Sequence, residues 1–428
     1  MKKVVKKIAL LLIVFGIGVG VTLLYTNNKY KVYEEEEPKQ IKKHVDTISM
    51  MLETEAGSGN YEMTTRSEWP TDGYIFNTTL SKCENGGELS WDDTNKRVLM
   101  SGNVSDKCYV YFDVYVPPTV VSDVCNGGET LSTCITTLSQ NSTSSYTNIY
   151  HHDSALANGA GDNSYRYAGA NPNNFVCFGT NTTPCPTDNL YRIIGVFGNQ
   201  VKLIKYDYAT SALLGTDGDY KGTGTPNASY YKGSLTTINT YYWNKATSKN
   251  TWSESNLNKV NLNTNFINNI RSEWAAKIAE TTWKVGGNTF ANIGTQPAKT
   301  AYQNEIVSPV TTNTTDGATE YSAKIGLMYV SDYMYAASQD KWTLVGNGSA
   351  TTDYRAATSV NWMYMEFGDW TISRIADNSS SVFGMYSTGY VDYGYVGGNS
   401  GCRPSFSLLS STTYVSGSGS ASDPMVIN

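Results

Sequence analysis

The chain has few groups suited to acid–base or metal chemistry. It carries three histidines in 428 residues, and charged residues make up only 16%. It has no G-x-S-x-G, H-E-x-x-H or G-x-x-x-x-G-K-[ST] segment, so nucleophile-elbow, zinc-protease and phosphate-loop chemistries have no footing. Clustered basic residues are confined to Lys2-Lys3, Lys6-Lys7 and Lys42-Lys43 within a formal net charge of −6. A nucleic-acid partner is therefore not expected, because phosphate binding needs a basic surface. Cysteines at the C-x₂₋₄-C spacing of structural zinc are absent. His151 and His152 are adjacent and point in different directions on an extended chain. Neither a metal nor a cofactor is expected.

What the chain has instead is 32 tyrosines against 11 phenylalanines, 38 glycines and much Ser, Thr and Asn. Such a mixture favours strands and turns over helices. The length exceeds what one core usually organises, so more than one globular unit is expected. The fold class expected is α+β, mainly β, with long polar loops.

The amino end, MKKVVKKIALLLIVFGIGVGVTLLY, places four lysines ahead of an uncharged apolar run from Ile8 to Tyr25. That run approaches the length of one membrane span, and the lysines put residues 1–7 on the cytoplasmic side. A cleaved signal peptide is the rival reading, although no small-x-small site follows the run. Either reading exports the remainder. The localisation expected is the cell membrane, single-pass, with the bulk extracellular. Ile41, Val45, Ile48, Met51 and Leu52 recur at helical spacing and predict a spacer helix within 26–57.

In an exported chain the cysteines read as staples. Local pairing gives Cys83 with Cys108, Cys125 with Cys134 and Cys177 with Cys185, although spacing alone does not fix connectivity. The first pair would brace a small β module over 60–116, around a hairpin from Glu88 to Met100. A linker with a short disulfide loop is expected over 117–149, followed by a large ligand-binding domain over 150–428. Within it, Leu190–Phe197 and Val201–Tyr206 predict a buried hairpin. Trp252–Leu257 begins a helix, Ile325–Val330 reads as a buried strand with Ser331–Tyr335 as its exit, and strands close the chain from Trp370 onward. Cys402 is left over. It lies in GCRPSFSLL, whose alternation predicts a closing strand, so it reads as a buried small hydrophobe. Arg403 reads as a tie to a neighbouring loop.

YRYAGANPNNFVCFG, LYRIIGVFGNQVKLIKYDYA and IGLMYVSDYMYAAS resemble a widespread group of uncharacterised anchored surface proteins from Gram-positive gut bacteria. SEWPTDGYIFNTTLSKCENGGELSWDD with KCYVYFD resembles a module recurring in that group. The resemblance implies no activity. The closing order, W-T-I-S, a strand through Val382-Phe383, a glycine-rich turn at Gly389 and then G-x-R-P, is similar to the second half of C-type-lectin-like domains. That fold is shared with formylglycine-generating enzymes, which need a reactive cysteine pair late in the domain. Here Cys402 stands alone, where related domains carry a larger apolar residue, so the resemblance implies binding.

The segment Tyr386 to Tyr395 holds four tyrosines among Ser, Thr, Asp and Gly, the mixture used by adaptable binding surfaces. The candidate ligand-binding residues are Tyr386, Tyr390, Asp392, Tyr393, Tyr395 and Asn399, while Trp362 and Trp370 read as core. The function expected is an adhesin-like surface protein that binds a glycan or protein ligand without catalysis. One alternative is an enzyme acting on cell wall or polysaccharide through Asp217, Asp219, Asp332, Asp340, Glu366 or Asp369. Another is a self-associating structural surface component.

Overall fold

The computed structural model describes residues 47–70, 73–102, 106–115, 121–125, 127–140, 148–310 and 318–428. The chain forms two compact units, 1–117 and 118–428. The expected tail and span, 1–25, lie outside the described residues. Among the described residues no helix is long and apolar enough to cross a membrane.

Residues 26–46 of the expected spacer helix lie outside the described residues, and the small unit corrects the remainder. Thr47–Glu53 is a strand, β1, antiparallel to β2 (Tyr61–Thr64). Ile48, Met51 and Leu52 fit a helical repeat, but Met50 and Leu52 fit an alternating one, and the available partners decide. Met50 and Leu52 pack with Phe76, Val110 and Phe112, whereas Ile48 stays exposed. Further along come β3 (Tyr74–Phe76), β4 (Lys82–Cys83), the hairpin β5 (Glu88–Asp92) and β6 (Arg97–Ser101), and β7 (Lys107–Val114). The β7 strand is the hub: it runs parallel to β1 and antiparallel to β3 and β4. Cys83 and Cys108 face each other across β4 and β7 and are disulfide-bonded. Glu53 is buried without destabilising the unit, because its carboxylate accepts the N–H groups of Gly59 and Val114, each at 3.0 Å.

The segment 117–149, expected as a linker, instead supplies α1 (Leu131–Gln140) to the large unit. Its Leu131, Cys134, Ile135 and Leu138 face the core at helical spacing, and Cys134 is bonded to Cys125. Five strands of the six-stranded core sheet are β8 (Ile149–His151), β9 (Tyr165–Tyr167), β10 (Phe175–Cys177), β11 (Leu190–Phe197) and β12 (Gln200–Lys205), and the sixth comes from Ser405–Ser407. The β11–β12 hairpin is the buried centre that its apolar runs predict. Gly195 at its bulge cannot carry a side chain, since a Cβ there would lie 2.3 Å from the Tyr165 carbonyl oxygen.

Outside that sheet, β13 (Tyr220–Gly224) pairs with β14 (Ile238–Tyr241). The helix expected after Trp252 forms as a 3₁₀ turn, Trp252–Glu254, and then a π-helical segment, Leu257–Phe266. A ladder of β15 (Thr281–Lys284), followed in sequence by β16 (Gly287–Asn288), is completed by β17 (Glu320–Ala323), which pairs with β15. Between them α2 (Ala298–Tyr302) runs on into the π turn Gln303–Val307.

The strand exit expected at Ser331–Tyr335 is a helix, α3 (Val330–Tyr335). Its start is fixed by the Asp332 carboxylate, which accepts the Tyr329 N–H at 2.9 Å, the capping geometry that a tyrosine-rich run conceals. A second sheet orders β16, β18 (Asp369–Ile375), β19 (Ser381–Met385) and β20 (Val391–Tyr395). The GCRPSFSLL stretch ends in β21 (Ser405–Ser407), which returns to the core sheet beside β12, and β22 (Tyr414–Ser416) pairs with β23 (Val426–Ile427). The described residues are thus mainly β, in several small sheets with short helices and three disulfides.

Candidate functional site

Two glycines on the β18–β19–β20 sheet open a groove. The register sets Trp370 opposite Gly384, Gly384 opposite Asp392 and Val382 opposite Gly394, so these side chains share one face. A Cβ on Gly394 would lie 2.7 Å from the Trp370 ring and one on Gly384 3.6 Å from it. The absent side chains leave the indole as part of the floor. Trp370 is anchored by its Nε1–H, which donates to the Tyr241 carbonyl at 2.8 Å. The resulting cleft of about 400 Å³ is lined by Phe367, Trp370, Tyr386, Ser387, Tyr395, Asn399 and Ser400, among others. It offers aromatic walls with polar groups between them.

The six candidate residues are only partly brought together. Tyr386, Tyr393 and Tyr395 are 40%, 45% and 50% exposed, so these rings face outward. Tyr386, Tyr395 and Asn399 line the groove. Tyr390 backs Tyr386, their rings stacked at 5.0 Å, and the Arg355 guanidinium lies over Tyr390 at 4.7 Å. Partial burial raises both phenols, and the nearby Asp392 charge adds to the effect. Tyr393 sits on the opposite face of β20 from Asp392, paired with Phe383, and packs edge-on against Phe290 at 4.6 Å. The alternation of a strand separates these neighbours, which their nearness in sequence had grouped.

The remaining aromatics divide clearly. Tyr333, Tyr335, Trp342, Tyr354 and Trp362 are buried. Of the loop carboxylates, Asp219 is buried and accepts the N–H groups of Lys245 and Leu257, both at 3.0 Å, while Asp369 accepts from Arg403 Nε at 2.6 Å. Burial raises Asp369 to about 6 despite Arg403. Arg403 Nη2 also donates to the Met363 carbonyl at 2.8 Å, so it ties the closing strand inward. Cys402 is buried, and burial pushes its thiol well above the ordinary value. His152 is packed against Tyr335 and Trp342, accepts the Ala160 N–H, and is pushed by burial and by Arg166 down to about 2.

A second assembly lies inside the large unit, where motif and composition give no direct pointer. Lys202 of β12 donates to Asp332 of α3, Nζ to Oδ2 at 2.5 Å, and both residues are buried. Arg166 of β9 lies 3.7 Å from the other Asp332 oxygen and 2.6 Å from Asp162. Burial works to raise Asp162, but Arg166 and the Ser164 hydroxyl outweigh it and hold the carboxyl at about 2. Glu305, also buried, accepts from the Ser331 N–H at 2.7 Å and from the Ser373 hydroxyl, and burial raises it to about 7. Phe197, Trp283 and Tyr329 enclose the Lys202 ammonium at 5.7, 5.3 and 4.4 Å from its nitrogen, and burial lowers that ammonium below its ordinary range. A cavity of about 240 Å³ is lined by Arg166, Lys202, Trp283, Tyr302, Tyr329 and Asp332, among others. The one sequence signal was Lys202, set between Val201 and Leu203 in β12, since a buried charge requires a partner.

No family model, curated protein or solved structure matches this chain.

Proposed function

We propose that the large unit is a saccharide-binding module and that the groove over Trp370 is its site. The observation that carries this reading is the glycine-floored cleft, with Tyr386, Tyr395 and Phe367 as walls and Ser387, Asn399 and Ser400 as hydrogen-bonding groups. Aromatic faces cover the apolar face of a sugar ring at low entropic cost, and amide and hydroxyl groups pair with its hydroxyls. The site holds no positively charged lining residue, so a neutral glycan fits better than a phosphorylated or sulfated one.

We place the module outside the cytoplasm, on an anchor formed by the lysine-flanked run 8–25. The three disulfides support an oxidising compartment. Adhesion at a cell surface is the corresponding role, and the C-type-lectin-like arrangement of the closing strands and the kinship with anchored surface proteins belong to the same proposal. Asp219, Asp332 and Asp369 are each engaged in interior ties, which favours binding over hydrolysis.

The test is retention of the full chain on an immobilised glycan array, with Tyr386→Ala and Tyr395→Ala in parallel. Retention on neutral glycans should fall roughly tenfold for each ring lost, equivalent to about 1.4 kcal/mol. No retention on any glycan, or retention untouched by both substitutions, contradicts the reading.

A further inference from the structure

The Lys202–Asp332 pair has the makings of a covalent bond. It joins the central strand β12 to helix α3 across 130 residues of sequence, with 2.5 Å between the lysine nitrogen and a carboxylate oxygen. Both side chains are buried, and aromatic rings surround the ammonium. Two opposite charges in such a place are expensive to keep: removal from water costs several kcal/mol per ion and is only partly returned by their attraction. An amide would remove both charges at once. The rest of the enclosure stays balanced when they go, because Arg166 keeps its own partner, Asp162.

We propose that Lys202 and Asp332 condense spontaneously in the folded chain to an intramolecular isopeptide bond, Lys202 Nζ to Asp332 Cγ. In the step, the ammonium passes one proton to the carboxylate, giving a neutral amine beside a neutral acid. The amine lone pair then attacks Cγ. The Tyr329 N–H, 2.9 Å from Oδ2, is placed to hold the oxygen that becomes the amide carbonyl. The other oxygen leaves as water, taking the proton already on the carboxyl group and one more from nitrogen. The balance is one ammonium and one carboxylate giving one amide and one water, with no oxidant or co-reactant.

Condensation between free groups in water is unfavourable, but fixed neighbours act at effective concentrations of about 10⁵–10⁸ M. The adjoining cavity, lined by both partners, receives the released water.

The test is mass spectrometry of the full chain after complete reduction of its disulfides. The wild type should be lighter than its sequence by one water, and Lys202→Arg, which keeps the charge but cannot form this amide, should have the full sequence mass. Peptide mapping of the wild type then guards against a variant that fails to fold. It should yield one branched peptide joining the fragments that contain Lys202 and Asp332. A reduced wild type at full sequence mass, or recovery of both fragments as linear peptides, overturns the proposal and leaves an ordinary buried ion pair.

Discussion

Gly394 bears on the groove more directly than any tyrosine, because the space it leaves lets the cleft reach down to the buried Trp370 indole. Gly394→Ala would drive a methyl group to 2.7 Å from that ring. Such overpacking costs about 1–3 kcal/mol, and the same substitution should abolish glycan retention; full retention would detach the groove from binding. Asp369→Asn should destabilise the large unit by about 3–5 kcal/mol in urea melts, because it strands the buried Arg403 guanidinium. Glu305 supplies a pH signature. Its folded carboxyl is raised from 4.5 to about 7 by burial, so the stability it contributes is complete below about 4.5 and is lost as pH rises through about 7. The urea midpoint of the wild type should therefore fall relative to Glu305→Gln across that window and then run parallel above it. A gap that stays constant from pH 4.5 to 8 contradicts the assignment.

At the scale of elements, legibility followed how much of the decision was local. The β11–β12 hairpin and the three cysteine pairings could be read because apolar runs, turn residues and short separations carry them. β1 was misread because its apolar residues satisfy two periods, and the choice belongs to β7, more than fifty residues away. α3 was misread because its cap is an aspartate two residues inside a tyrosine run. The candidate site was half legible: Tyr386, Tyr395 and Asn399 meet at the groove, but strand alternation separates Tyr393 from Asp392, and the glycine floor depends on cross-strand register. Cys83–Cys108 closes a loop of 25 residues, so replacing both cysteines by serine should cost the small unit roughly 3–4 kcal/mol. Hydrogen exchange along β7 reads that loss, and unchanged protection there would show that the aromatic cluster around Phe112 suffices alone.

At the scale of the whole molecule, a disulfide-braced small unit precedes a large one whose six-stranded and four-stranded sheets accompany an open groove walled by Tyr386 and Tyr395. The groove carries uncharged aromatic and polar groups, while the Lys202–Asp332 pair is enclosed elsewhere in the large unit. A ligand should therefore protect one contiguous surface and leave the interior enclosure unaltered. The most direct measurement is hydrogen exchange of the full chain with and without an excess of the best-retained array glycan. The account predicts slower exchange confined to residues 384–400 and the adjoining 367–370. Unchanged exchange there, or slowing centred instead on residues 281–284 and 329–332, would contradict the assignment of the groove as the binding site.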